Sequence, residues 1–105
     1  MSSSAADGDD ITRWALAAKA GDRSAAAAFI RATQHDVYRF VSHLVDPTEA
    51  EDLTQETYLR AMRALPRFAG RSKASTWLLA IARRVCADHV RLAMRRPRLA
   101  ALPDW

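Results

Sequence analysis

Cations and aromatic rings alternate along the C-terminal half of the chain. Arg67, Phe68, Arg71 and Lys73 stand close together, and Trp77, Arg84, Arg91 and Arg95 follow. Guanidinium and ammonium groups neutralise phosphates, and aromatic faces accept stacked bases; together they hold single-stranded nucleic acid. A basic, solvated helix end is the plainer reading of the same residues, since late arginines also suit a helix C-terminus. A second group lies upstream. At about 100° per residue, Asp52, Gln55, Glu56 and Arg63 share one side of a helix, with Glu49 and Arg60 beside them. Leu59 falls in their midst. An apolar anchor with a polar rim is interface anatomy; a solvated face laced with pairs such as Glu56–Arg60 is the plainer alternative.

The residues of an enzyme are not assembled. There is no glycine-rich phosphate loop, no Ser/His/Asp set and no pair of carboxylates in an apolar setting, so a non-enzymatic protein is expected. Cys86 is the one cysteine, so no internal disulfide forms, and no Cys/His spacing suits a metal. Its expected role is that of a small buried apolar residue. No cofactor is expected. His89 falls on an apolar stripe, where a partly buried, hydrogen-bonded histidine is the expected reading.

Charge is polarised along the 105 residues. Residues 1–56 carry ten acids against five bases, a balance of −5, and residues 57–105 carry eleven bases against two acids, a balance of +9. Such separation on one small domain suggests two different partners, the basic part facing a polyanion. Half the residues are apolar, enough for one modest core. No apolar run approaches the roughly 20 residues of a membrane span. The acidic start, MSSSAADGDD, lacks an apolar signal core. A cytoplasmic protein without a membrane partner is expected.

Few glycines and prolines, with abundant Ala, Leu and Arg, predict an all-α protein, a compact bundle of about four helices. Residues 1–9 read as a disordered arm. A first helix is expected over Asp10–Ala20, stopped by Gly21, with Ile11, Trp14, Ala15 and Ala18 on its apolar side. A second spans Asp22–Val45, with Phe29, Ile30, Thr33, Val37, Phe40, Val41 and Leu44 in one stripe. Asp46, Pro47 and Glu49 signal the start of a third, by cap, first-position proline and capping box. It runs to Leu65, with Ala50, Thr54, Thr57, Tyr58, Ala61 and Leu65 inward. A hinge over 66–75 precedes a fourth helix, capped by Ser75 and stopped after Arg96 by Pro97. Leu78, Ile81, Ala82, Val85, His89 and Leu92 form its inward stripe; Trp77, Ala80, Arg84, Ala87, Asp88, Arg91 and Arg95 face outward. Truncating a core aromatic such as Phe40 to alanine should cost about 3–5 kcal/mol.

Asp52-Leu53-Thr54-Gln55-Glu56-Thr57-Tyr58-Leu59-Arg60-Ala61, then Pro66-Arg67-Phe68 and Gly70, then Thr76-Trp77-Leu78 and Ile81-Ala82-Arg83, resemble conserved region 2 of bacterial sigma factors. The type most similar is the extracytoplasmic-function (ECF) group, and the pattern extends over residues 10–96. The resemblance implies a transcription initiation domain of packed helices. Its third-helix face, here Asp52, Gln55, Glu56, Leu59 and Arg60, would dock on the β′ clamp coiled coil of RNA polymerase core. The loop between third and fourth helices, here Phe68, Arg71, Ser72, Lys73, Ala74 and Ser75 with Arg67 before it, would capture a base flipped from the single-stranded non-template strand of the promoter −10 element. Trp77, Arg84 and Asp88 would help open and read the duplex, while Arg91 and Arg95 would follow phosphates. In the family the position of Arg84 is frequently asparagine, and a bulky apolar residue often stands where Ala74 does. The family's second domain, a helix-turn-helix for the −35 element, has no counterpart here, so residues 97–105 would be a tail or the start of an interdomain linker. Two other readings stay open: a helical interaction domain held by an anti-sigma regulator, and a generic basic bundle that binds RNA.

Overall fold

The computed structural model describes the backbone of residues 8–101 and the side chains of residues 10–95. Four helices follow one another: α1 Gly8–Lys19, α2 Arg23–Leu44, α3 Pro47–Ala64 and α4 Ala74–Ala101. A single 3-10 turn, Leu65–Arg67, follows α3. The described residues contain no strand, as the all-α expectation requires.

The junctions explain the element lengths. Gly21 takes φ +108°, and the amides of Gly21 and Asp22 bond the carbonyls of Ala18 and Ala17 at 2.9 and 3.0 Å. This is a Schellman ending, which needs a left-handed residue at the position glycine occupies. Asp22 then caps α2, its carboxylate accepting from the Ala25 amide at 3.1 Å. The Ser24 hydroxyl also donates to that carboxylate, and these bonds hold the Asp22 carboxyl below its ordinary value.

Several boundaries differ from the sequence expectation. Gly8 and Asp9 belong to α1, not to an arm; residues 1–7 lie outside the described residues. The Asp46 side chain makes no capping bond. Glu49 does not reach back to it, because its carboxylate pairs with His89 of α4. The chain tightens into the 3-10 form over Leu65–Arg67, with Pro66 inside that turn, so α3 ends at Ala64. The fourth helix starts one residue before Ser75, and Thr12 of α1 supplies the acceptor for the Ala74 amide at 2.9 Å. Nor does Pro97 end it. A proline removes one donor and crowds the preceding turn, yet good helix formers flank it and the helix reaches Ala101. The rest of the expected tail, 102–105, lies outside the described residues.

One core joins all four helices. Phe29, Val37 and Val41 of α2 pack with Ala50 and Ala61 of α3, Leu78 and Ala82 of α4, and Ile11 and Ala15 of α1. Ala15, Ala50, Ala61, Ala74 and Ala82 are wholly buried, and their small side chains let the helices approach closely. Cys86 is buried as expected, and burial pushes its thiol pKa up. Phe40, Ile30, Tyr58 and Ile81 are half-buried rather than interior. Two stripe residues are not in the core at all: Leu44 is 46 % exposed and Leu92 54 %. Each continues the apolar phase of its helix beyond the point where a neighbouring helix covers it. Buried hydroxyls have partners. Thr33 bonds the Phe29 carbonyl at 2.8 Å and shares a 2.6 Å bond with the Tyr58 hydroxyl; Thr57 bonds the Leu53 carbonyl at 2.8 Å.

Candidate nucleic-acid and polymerase interface

The acidic face of α3 presents Asp52 and Gln55 to solvent, with Leu59 54 % exposed beside them. A leucine so exposed on a helix whose opposite side buries Ala50, Thr57 and Ala61 is not needed by the core. Glu56 and Arg60 are half-buried and paired, Arg60 Nε to Glu56 Oε2 at 3.1 Å. That pair is not confined to α3. Arg60 also donates to Asp88 of α4 at 2.9 Å, and Asp88 accepts from Arg91 at 2.6 Å. The hydrogen bond from Arg60 holds the Asp88 carboxyl below the usual aspartate range, and the bond to Asp88 in turn raises the Arg60 pKa.

Sequence periodicity assigned Arg60 to one face and Asp88 and Arg91 to another. In the fold they form one chain, Glu56–Arg60–Asp88–Arg91, across the α3–α4 boundary. Arg60 is therefore a bridge between the two faces, and Asp88 is occupied on both sides by guanidinium groups.

The basic face consists of the loop 68–73 and the outer side of α4. Arg67, Arg71, Ser72 and Lys73 are exposed, as are Ala80, Arg84, Ala87, Arg91 and Arg95. Arg83 and Thr76 are exposed on the same helix, although the sequence reading used them only as motif residues. The alanines between the arginines leave low ground on which a sugar-phosphate backbone can approach. Ser75 is half-buried in the first turn.

Two residues of the expected base-binding set point inward. Phe68 is 4 % exposed, and Ala74 is fully buried. Phe68 packs its ring on Trp77 with centroids 4.8 Å apart and planes tilted by 42°. Its amide bonds the Leu65 carbonyl at 2.9 Å. Trp77, half-buried, is thus supported from below and offers only part of its ring. Phe68 and Ala74 shape the loop from inside; the groups free to touch a ligand are those of Arg67, Arg71, Ser72, Lys73 and the exposed part of Trp77.

The sequence reading missed the residues that hold this loop. Lys19 Nζ donates to the Phe68 carbonyl at 2.7 Å, and Thr12 accepts from Ala74. Both lie on α1, 49 and 62 residues away in sequence, and no local pattern signals such contacts. Among the described residues no group of three or more His, Cys, Asp or Glu could hold a metal ion, and no helix is long and apolar enough to cross a membrane.

A family model described as Sigma-70 region 2 matches residues 29–96. The chain is 56 % identical over 98 residues to the ECF RNA polymerase sigma factor SigC of Mycobacterium tuberculosis, which covers 93 % of this chain and 53 % of that protein. It is 42 % identical over 72 residues to the ECF RNA polymerase sigma factor SigX of Bacillus subtilis, covering 67 % of this chain and 37 % of that one. The chain thus spans about half, or less, of the length of these relatives. In three dimensions it is similar to an engineered region 2 of sigmaE, solved by NMR in complex with GTAAAA, with a TM-score of 0.73 and 31 % identity over 91 % of this chain and 97 % of that one. The four-helix fold, the matched segment from α2 to α4 and the relatives agree: the chain belongs to the sigma-70 region 2 family, and its relatives are ECF sigma factors.

Proposed function

We propose that this chain is the promoter −10 recognition module of an ECF-type sigma factor, a non-enzymatic protein that acts with RNA polymerase in the cytoplasm. In this reading Asp52, Gln55, Glu56, Leu59 and Arg60 dock on the β′ coiled coil of the core enzyme. The loop 68–73 and the start of α4 receive one base flipped from the non-template strand. Arg84, Arg91 and Arg95 follow the phosphates.

One observation carries the reading. A solvent-exposed cationic loop and helix stand on a fold similar to a region 2 that was solved in complex with GTAAAA. Extruding a base costs a few kcal/mol of stacking. Cations at Arg67, Arg71 and Lys73, clustered on one short segment, offset part of that cost through phosphate contacts. The low ground at Ala80 and Ala87 favours close passage of the strand.

The test is titration of the chain with single-stranded GTAAAA and all its single-base changes, with and without core polymerase. One position should discriminate, and the discrimination should change in Arg71→Ala and Ser72→Ala. In parallel, Asp52→Lys and Leu59→Ala should weaken capture of the β′ coiled coil about tenfold or more, the loss typical of interface anchors, without lowering the melting temperature. Unaltered capture by both variants would rule out the α3 face. An anti-sigma regulator is a second partner consistent with this reading. Leu44, Val90, Leu92 and Met94 are exposed apolar residues of α2 and α4, the kind of surface a protein partner covers; co-purification with a candidate regulator, lost on Val90→Asp and Met94→Asp, tests it.

A further inference from the structure

The base-receiving loop is held by one face of α1. Thr12, Leu16 and Lys19 are spaced by four and three residues, so they share a side of that helix. Lys19 donates to the Phe68 carbonyl at the loop's entry, 2.7 Å away. Thr12 Oγ1 accepts from the Ala74 amide at its exit, 2.9 Å away. Between them Leu16 lies beneath Gly70, where an added Cβ would stand 3.5 Å from both leucine methyls. Gly70 has φ +76°, a left-handed conformation open to glycine and strained for other residues. Entry, midpoint and exit of the loop thus rest on three consecutive positions of the α1 face.

The exit contact is not an ordinary cap. The Lys73 carbonyl accepts the first bond of α4, from the Trp77 amide at 3.0 Å, so Lys73 stands at the capping position. A lysine side chain has no acceptor with which to satisfy the free amides there. The Thr12 hydroxyl satisfies one of them, the Ala74 amide, from another helix, and Lys73 remains exposed to solvent. A capping residue of the usual kind at position 73 would remove a cation from the ligand side. The fold keeps the cation and satisfies the first amide of α4 from α1.

We infer that Thr12, Leu16 and Lys19 are positioning residues for base selection: α1 fixes the conformation in which the loop presents Arg71, Ser72 and Lys73. The inference rests on the reading of the loop given under Proposed function. It adds residues of a helix that lies ahead of the stretch matched by the family model. The physical reason is the difference between the two kinds of contact. A phosphate contact tolerates a mobile cation, whereas discrimination between bases needs donors and acceptors held within about 0.5 Å. Releasing one anchor should therefore reduce selectivity more than affinity.

Thr12→Val is the sharpest probe, because it keeps the shape, removes the acceptor and changes no charge. The full chain would be titrated with single-stranded GTAAAA and its single-base changes at two salt concentrations, after circular dichroism has shown each variant folded. Thr12→Val should lower discrimination at one position about three- to tenfold, the range carried by one ordinary hydrogen bond. Affinity for the poorer hexamers and the salt slope should hardly move. Thr12→Ser should restore selectivity. Lys19→Met, a change at an exposed site, should blunt the same position. A Thr12→Val chain that keeps the wild-type preference, or that weakens all hexamers equally, overturns the inference. So does a Lys19→Met chain whose only effect is a uniform loss with a shallower salt slope, the mark of a phosphate contact. The two readings fail differently. If no position of the wild-type panel responds to Arg71→Ala or Ser72→Ala, the loop reading itself falls; if such a position exists and ignores both α1 variants, only the role of α1 falls.

Discussion

Replacing Phe68 by alanine separates a base-stacking role from a supporting one. The ring is 4 % exposed and rests on Trp77 at 4.8 Å. Truncating an aromatic side chain in such a setting costs about 3–5 kcal/mol. A domain of this size has roughly 5–15 kcal/mol of stability, so Phe68→Ala removes a large share of it. Each kcal/mol lowers the melting temperature by roughly 4–8 °C in a 60–100-residue domain, so a fall of about 12 °C or more is expected. Phe68→Leu keeps most of the buried volume and should lose less than about 1.5 kcal/mol. The companion measurement is binding of single-stranded DNA. A ring that stacked directly on a base would contribute about 1–3 kcal/mol to binding, and leucine could not replace it. With the ring buried, Phe68→Leu should bind the hexamer within about twofold of wild type. Urea unfolding monitored at 222 nm, with fluorescence titration of the same samples, provides both numbers. A Phe68→Ala chain that melts like wild type while losing DNA affinity would refute the buried placement of the ring and the loop geometry built on it.

Two aromatic residues of one α2 stripe should diverge. Phe29 is fully buried, so Phe29→Ala should cost about 3–5 kcal/mol, whereas half-buried Phe40 should cost about 1–2 kcal/mol; equal shifts of the denaturation midpoint would contradict the core as described. Arg60→Met should let the Asp88 carboxyl rise toward its ordinary value of 3.8, read by NMR titration of that side chain, because the bond from Arg60 is the largest cause of its depression. A depressed carboxyl stabilises the fold above pH 3.8 and loses that effect as the pH falls through its lower folded value, so Arg60→Met should flatten the acid limb of the stability profile. The same variant should weaken both polymerase capture and DNA binding, since Arg60 joins α3 to Asp88 and Arg91; loss of polymerase capture alone would mean that the ion-pair chain does not couple the faces.

Much of this molecule is legible in one dimension because its determinants are local. Stripes at three- and four-residue steps set the inward faces of α2, α3 and α4, and period is a property of neighbouring residues. Gly21 and Asp22 end one helix and start the next with bonds that span a few residues. The division of acids and bases between the halves, and the exposed Leu59 among polar neighbours, follow from composition and phase. The motif residues from Asp52 to Arg83 carry the resemblance to the sigma family in their order and spacing alone.

Tertiary structure decided what depends on pairs far apart in the chain. Periodicity gives the face of a helix but not where its neighbour stops covering it, which is why Leu44 and Leu92 keep the apolar phase and yet lie exposed. Glu49 has the spacing to cap its own helix start, yet its carboxylate pairs with His89, 40 residues on. The same holds for Asp88, drawn to Arg60 across the helix boundary. In the loop, residue type marked Phe68 as ligand-facing and the family resemblance added Ala74, since a loop between charged residues offers no phase to say which side is inward. The packing of α1 turns both of them in and leaves Arg71, Ser72 and Lys73 outside. Side-chain types and their spacing along one helix are written in the sequence; which of two helices supplies a cap, a counter-ion or a floor for a loop is settled only when burial brings distant segments within hydrogen-bonding distance.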